Sequence, residues 1–354
     1  MEDEALLNSA PGGAMTSVVL VLALLASPAG ARNFEVTAYG AKGDGRADDS
    51  AAIDRAIAAA AEAGGGVVLF PAGRYKARVV ARTGVTLSGE GKEATFLIAP
   101  PSDGKTASYA IFGKEVMGVT VRDLTVIADG AKVFWPAGIR FAASSGIKVT
   151  GVAVSGSTHG QGIVFDEAPG FGSDNSVTDC TVRDSEQGIV IDNENVRVSG
   201  NYVENCKYGI SLEYATPHAA VVTSNIVDAK GRAGSFGIVG SGADRAVISD
   251  NNVRGAWIGI YLKEKSSRIS VTGNLVSGAS GDGIKLEDGF GFSVANNLVV
   301  DAKGSGIHAE RAADTHVSGN YVSGAGHCGI RASGRGVVVV VGNAVSGYAK
   351  DICQ

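Results

Sequence analysis

Along most of this chain, apolar and polar positions alternate in short runs. Val196, Val198 and Val203, followed by Ile210 and Leu212, are each flanked by polar residues or glycine. A period of two sends successive side chains to opposite faces of a strand. No window in this part carries the 3.6-residue period of a helix. The phrase then repeats: Gly-Ile pairs fall at 138-139, 162-163, 188-189, 209-210, 237-238, 259-260, 283-284, 306-307 and 329-330, with spacings of 24, 26, 21, 28, 22, 24, 23 and 23 residues. Self-similarity at such a period marks a solenoid. Coils of about 23 residues, built from short strands and stacked at the interstrand spacing of roughly 4.8 Å, describe a right-handed single-stranded parallel β-helix, an all-β fold. A column of Asn201, Asn225, Asn252, Asn274, Asn297, Asn320 and Asn343 recurs ahead of the Gly-Ile pairs. It is expected to form a hydrogen-bonded ladder at a corner whose left-handed backbone asparagine tolerates.

Residues 49–63, DSAAIDRAIAAAAEA, form the one helical pattern, with Asp49 or Ser50 as N-cap and Ile53, Ala56, Ile57 and Ala60 on one face. This helix is expected to cap the open N-terminal end of the solenoid core. Asp44, Asp48 and Asp49 suggest either a calcium loop or a turn leading into the helix, and the turn is the simpler expectation.

Composition agrees with many turns between short strands: glycine is 51 of 354 residues and proline 8. Residues 1–31 include VVLVLALLASPAGA, an apolar run ending in a small-residue pattern, and read as a signal-peptide region, with residues 1–14 as an upstream extension if Met15 is the true start. The run is too short for a transmembrane span, so no stable membrane insertion is expected after its removal. The β-helix domain is then 32–354. Without residues 1–31 the formal charge of −5 becomes −2, which gives no support to nucleic-acid binding. Secreted or periplasmic export fits four cysteines, at 180, 206, 328 and 353, which form either two disulfides or buried thiols. They show no zinc-binding spacing. A monomer is expected.

If the isoleucine of each Gly-Ile points inward, the residue before the glycine and those two and four after it lie on the outer face. These columns vary from coil to coil, so the repeat builds a rod and its variations write a groove. One stretch gathers His159, Gln161, Asp166, Glu186, Gln187, Asp192, Lys207, Tyr208, Glu213 and His218; another gathers Tyr261, Lys263, Lys285, Glu287, His308, Glu310 and Arg331. The spacings are irregular around the first stretch, where insertions such as EAPGFGSD and AKGRAGS can wall a cleft, so it is the favoured site. Asp192 and Glu213, on adjacent coils about 5 Å apart, should raise at least one pKa or share a cation.

The segment FEVTAYGAKGDGRADDSAAIDRAIAAAAEAGGGVVLFPAGRY, with TLSGEG and VRDLTVIADG after it, resembles the entry of the pectate-lyase-like β-helix superfamily, over residues 33–130. That superfamily includes pectate lyases, polygalacturonases, rhamnogalacturonases, mannuronan C5-epimerases and phage tailspikes. The resemblance implies a polysaccharide partner, most simply an acidic uronate chain processed by a lyase or C5-epimerase. Abstraction of a C5 proton needs a base, a neutraliser for the uronate carboxylate and an acid. Tyr208 or His159, with Lys207, fit those roles, while Gln161, Gln187, His218, Tyr261, Lys263, Lys285 and Arg331 would bind substrate. Tyr208-Gly-Ile-Ser-Leu-Glu-Tyr214 keeps the tyrosine of the epimerase motif but not its Asp and His, and KEKSSRISVTGN, with Lys265, is similar to a lyase Lys-Ser motif. A glycoside hydrolase would instead use Asp166, Asp192 and Glu213. A non-catalytic carbohydrate-binding surface protein is the remaining alternative. No cofactor is required, and calcium could bridge substrate carboxylates to Asp166 or Asp192.

Overall fold

A computed structural model describes residues 32–100, 109–128, 136–156, 159–166, 172–213, 219–334 and 336–353. The proposed leader, residues 1–31, lies outside them. The chain winds as a right-handed parallel solenoid of about eleven turns. Its three sheets hold 13, 13 and 12 strands among the described residues, each strand pairing with its counterpart one coil on. Thus Arg197–Ser199, Tyr202–Glu204 and Tyr208–Glu213 pair in parallel with Val221–Thr223, Ile226–Asp228 and Phe236–Ser241.

The isoleucines of the Gly-Ile pairs are all fully buried, and Val198, Val222, Ile248 and Val271 form a second inward column. The adjacent glycine is required by close approach. A Cβ on Gly188 would lie 2.5 Å from the carbonyl oxygen of Gly209 and 2.8 Å from Val203 Cγ1, so any side chain there would force the coils apart.

The asparagine ladder is present, with one change of membership. Asn201 donates its backbone N–H and its Nδ2 to Asn225 Oδ1, at 3.0 and 2.9 Å. The same pair of bonds continues from Asn225 to Asn251, Asn251 to Asn274, and onward through Asn297 and Asn320 to Asn343. The ladder residue is therefore Asn251, not Asn252. The ladder position stands two before the inward valine, and Val253 selects Asn251, whereas Asn252 begins the strand Asn252–Arg254. The left-handed residue is also not the ladder asparagine but the one before it: Gly200, Ser224, Asp250, Gly273, Asn296, Gly319 and Gly342. At the N-terminal end of the ladder Cys180 takes the equivalent place, its N–H donating to Asn201 Oδ1 at 3.0 Å.

The expected helix, α1, spans Ser50–Glu62 and buries Ala52, Ile53, Ala56, Ile57 and Ala60. Asp49 stands at its N-cap position without capping it. Its carboxylate instead accepts the N–H groups of Lys42 and Gly43 at 2.7 and 3.1 Å, and the Ser50 hydroxyl accepts that of Arg78 at 3.1 Å. Asp44 accepts from Arg46 and Ala47, so these acids organise a turn. Both cysteine alternatives occur: Cys328 and Cys353 are disulfide-bonded across the last two coils, while Cys180 and Cys206 are buried free thiols. No helix among the described residues is long and apolar enough to cross a membrane.

Replacing Asn251 with Ala should cost about 2–3 kcal/mol in urea denaturation, because it strands two buried Asn225 donors. Asn252→Ala should change stability by less than about 0.5 kcal/mol, since its Oδ1 has no partner to lose. Equal effects would contradict the ladder assignment.

Candidate functional site

The third sheet carries three outward columns, and their register follows from the pairing. Ala137, Gln161, Gln187, Tyr208 and Phe236 align as the first; Arg140, Val164, Val190, Ser211, Val239, Tyr261, Lys285, His308 and Arg331 as the second. Asp166, Asp192, Glu213, Ser241 and Lys263 follow on as the third.

The face is concave. Tyr208, the register neighbour of Gln187, stands five residues before Glu213, about 16 Å away in a straight strand. Yet Gln187 Nε2 donates to Glu213 Oε1. Two side chains of this length meet only if the face curves inward between the two columns. Gln161 Nε2 donates in turn to Gln187 Oε1 at 2.7 Å, so the first and third columns are linked across the groove.

Three carboxylates occupy neighbouring coils of the third column, and they are not equivalent. Asp166 is held by Arg140, with Nε and Nη2 at 3.1 and 2.8 Å from its two oxygens. Asp192 has no ion pair or side-chain hydrogen bond among the described residues. Burial, then the charges of Asp166 and Glu213, push its pKa up to about 7. Glu213 is also pushed up by burial, partly offset by the Gln187 hydrogen bond. The groove therefore holds a carboxyl that exchanges a proton near neutrality.

Beside this column runs an aromatic strip. Tyr208 stacks on Phe236 with centroids 5.3 Å apart, Phe236 stacks on Tyr261 at 5.4 Å, and Trp257, 43% exposed, meets Phe236 edge-on at 5.4 Å. Lys207 sits 5.5 Å from the Tyr208 ring centroid, and its ammonium is paired with Glu186 at 2.9 Å, as is Arg232. The strip joins the two polar clusters into one groove.

In the second cluster charges are matched. Lys285 lies 2.9 and 3.0 Å from Glu287 and Glu310, and Arg311 pairs with Glu287, Asp288 and Glu310. Tyr261 donates to Glu287. Hydrogen bonds from Tyr261 hold the Glu287 pKa down, and those from Lys285 hold down that of Glu310. Lys263 pairs with its neighbour Glu264. His159 stands exposed on the turn before Gln161–Asp166, Arg331 is exposed near the C-terminal end, and His218 lies outside the described residues.

Arg140, Phe236 and Trp257 were missed as site residues. Arg140 was findable as the second-column residue one coil before Asp166. Phe236 was findable on the coil between Tyr208 and Tyr261, and Trp257 as the residue just ahead of the strand that carries Tyr261.

A family model described as rhamnogalacturonase A/epimerase, pectate lyase-like, matches residues 33–236, and one described as periplasmic copper-binding protein (NosD) matches 217–348. Mannuronan C5-epimerase AlgE4 of Azotobacter vinelandii is 36% identical over 106 residues, 27% of this chain and 19% of that protein. Alginate lyase 7 of the same organism is 54% identical over 43 residues, 12% of this chain and 5% of the relative. The chain thus matches only a minor part of the length of these relatives. The AlgE4 A-module structure superposes with a TM-score of 0.72 at 20% identity, covering 91% of this chain and 97% of the module. The Streptococcus pneumoniae surface adhesin PfbA superposes at 0.73 with 16% identity, covering 91% of each. At these identities the superpositions establish the fold alone.

Because folding raises the Asp192 pKa, ionising it opposes the native state, and stability falls as pH rises from the ordinary carboxylate range to about 7. Asp192→Asn should therefore raise Tm at pH 8, by a gain of about 1–2 kcal/mol after allowance for its partial exposure, and leave it nearly unchanged at pH 4. Thermal melts at both pH values measure this.

Proposed function

The chain belongs to the rhamnogalacturonase A/epimerase, pectate lyase-like family, and we propose that its groove acts on an acidic polysaccharide by abstracting the C5 proton of a uronate, as a lyase or a C5-epimerase. The observation that carries this reading is Asp192, a carboxyl protonated up to about neutrality inside a groove that also offers Tyr208 and an aromatic strip. Its acid form donates a hydrogen bond to the substrate carboxylate and so neutralises the charge that would otherwise oppose carbanion formation at C5. Tyr208, across the groove, transfers the proton, with His159 the second candidate. The rings of Tyr208, Phe236 and Tyr261 present faces to the apolar C–H side of a sugar. Elimination of the C4 oxygen gives a lyase; reprotonation from the opposite face gives an epimerase. Export to the periplasm or medium, where such a polymer is met, belongs to the same proposal; calcium bridging the substrate carboxylate to ionised Asp192 is the alternative way of neutralising that charge above the Asp192 pKa.

A hydrolase is the second reading, favoured by one feature. Asp192 and Glu213, on adjacent coils about 4.8 Å apart by strand spacing, approach the carboxyl separation of a retaining glycosidase.

The discriminating experiment is proton NMR of alginate and polygalacturonate after incubation with the mature protein, with calcium and with chelator. Unsaturated-sugar or new-epimer signals support the proposal, new reducing ends support the hydrolase, and unchanged spectra support a binding role. Under the proposal Tyr208→Phe lowers turnover by about 10²–10⁴-fold. Asp192→Asn keeps the hydrogen-bond donor, retains most activity at pH 6 and abolishes the decline above pH 7 that the proposal expects of the wild type. Under the hydrolase reading Asp192→Asn removes activity at every pH.

A further inference from the structure

Three side chains at the C-terminal end of the third sheet form a line that the uronate chemistry does not use. Asp282 precedes the strand Ile284–Glu287, His308 lies on Ile307–Glu310 and Ser333 ends Cys328–Ser333, so each comes from a successive coil. His308 Nδ1 is 3.0 Å from Asp282 Oδ2, and His308 Nε2 is 3.2 Å from Ser333 Oγ. Asp282 Oδ1 accepts the Ser305 N–H at 2.7 Å. Burial opposes the charge of Asp282, but the hydrogen bonds from His308 and Ser305 outweigh it and hold its pKa below the ordinary range. An ionised carboxylate only accepts hydrogen bonds, so Nδ1 carries the proton, and in neutral His308 Nε2 is left to accept from the Ser333 hydroxyl.

We propose that Asp282, His308 and Ser333 form a serine nucleophile site that hydrolyses O-acyl esters of the kind carried on polysaccharide hydroxyls. The geometry meets the requirements for an activated serine: a nucleophile within hydrogen-bond reach of a base, and a base oriented by a third group. His308 is 7% exposed, which fixes its ring, while Ser333 is only half-buried and so reachable. Arg331, exposed and in register with His308 on the next coil, offers positive charge for an oxyanion. In acylation Ser333 Oγ attacks the ester carbonyl carbon as its proton passes to His308 Nε2. The carbon–oxygen bond to the sugar then breaks, and the leaving oxygen takes that proton. Water, deprotonated by His308, next attacks the acyl-serine, releasing the carboxylic acid and restoring the hydroxyl. Asp282 is a positioning residue, holding the tautomer.

This site needs neither Asp192 nor Tyr208, so its test is independent of the uronate reading. Full-length protein would be incubated with a fluorophosphonate probe and, separately, with p-nitrophenyl acetate and acetylated alginate. The expected result is covalent labelling of Ser333, mapped by peptide mass spectrometry, and acetate release that Ser333→Ala reduces to the uncatalysed rate while its melting curve is unchanged. Asp282→Asn should lower kcat by about 10³–10⁴-fold with KM preserved. An unlabelled Ser333, label confined to another residue, or acetate release equal in wild type and Ser333→Ala would overturn the proposal.

Discussion

Parallel pairing of each coil with the next, at about 4.8 Å, is the constraint on which the rest of this molecule depends. It places chemically equivalent positions directly over one another, so a residue type repeated in sequence becomes a column in space. Inside, the consequence is favourable for apolar groups and for asparagine. From Asn225 onward each ladder amide accepts from the N–H and the Nδ2 of the neighbouring coil, and its own Nδ2 also donates to a backbone carbonyl, as Asn201 does to Val177. A buried corner that would otherwise leave polar groups unpaired is thereby satisfied along its length.

Outside, the same constraint is unfavourable for repeated charge, and the chain resolves this differently at its two ends. In the later coils Glu287 and Glu310 stack, but Lys285 and Arg311 lie between and beside them, and both acids are held ionised. In the earlier coils Asp166, Asp192 and Glu213 stack with Arg140 committed to the first, and the other two are pushed toward their protonated forms. A satisfied network adds rigidity, whereas an unsatisfied carboxyl in a concave surface is poised to exchange a proton or bind a cation. This contrast, more than loop irregularity, separates the candidate site from the rest of the polar surface.

The period, the inward and outward faces, and the column containing Asp166, Asp192 and Glu213 were legible because they need only counting in twos and in coils. The ladder was read one residue out at Asn252, since the consecutive Asn251 and Asn252 match by type and only the distance to Val253 separates them. The hold of Arg140 on Asp166 was not legible, because which of two adjacent carboxylates captures an arginine depends on side-chain reach rather than on register. Pairing of Cys328 with Cys353, with Cys180 and Cys206 left free, also depended on three-dimensional placement: Cys180 occupies a ladder position, facing the core, where no other cysteine comes opposite it.

Glycine before each isoleucine ties these levels together. At Gly188 the neighbouring carbonyl and Val203 leave no space for a Cβ, which sets how closely the coils stack, and along the same strands the outer face bends inward. That bend turns a flat outer face, on which Gln187 and Glu213 would be out of reach, into a groove across which they bond. The groove is thus no addition to the repeat. It runs along the same strands that stack the coils, and its chemistry is set only by what the outward columns carry at each level.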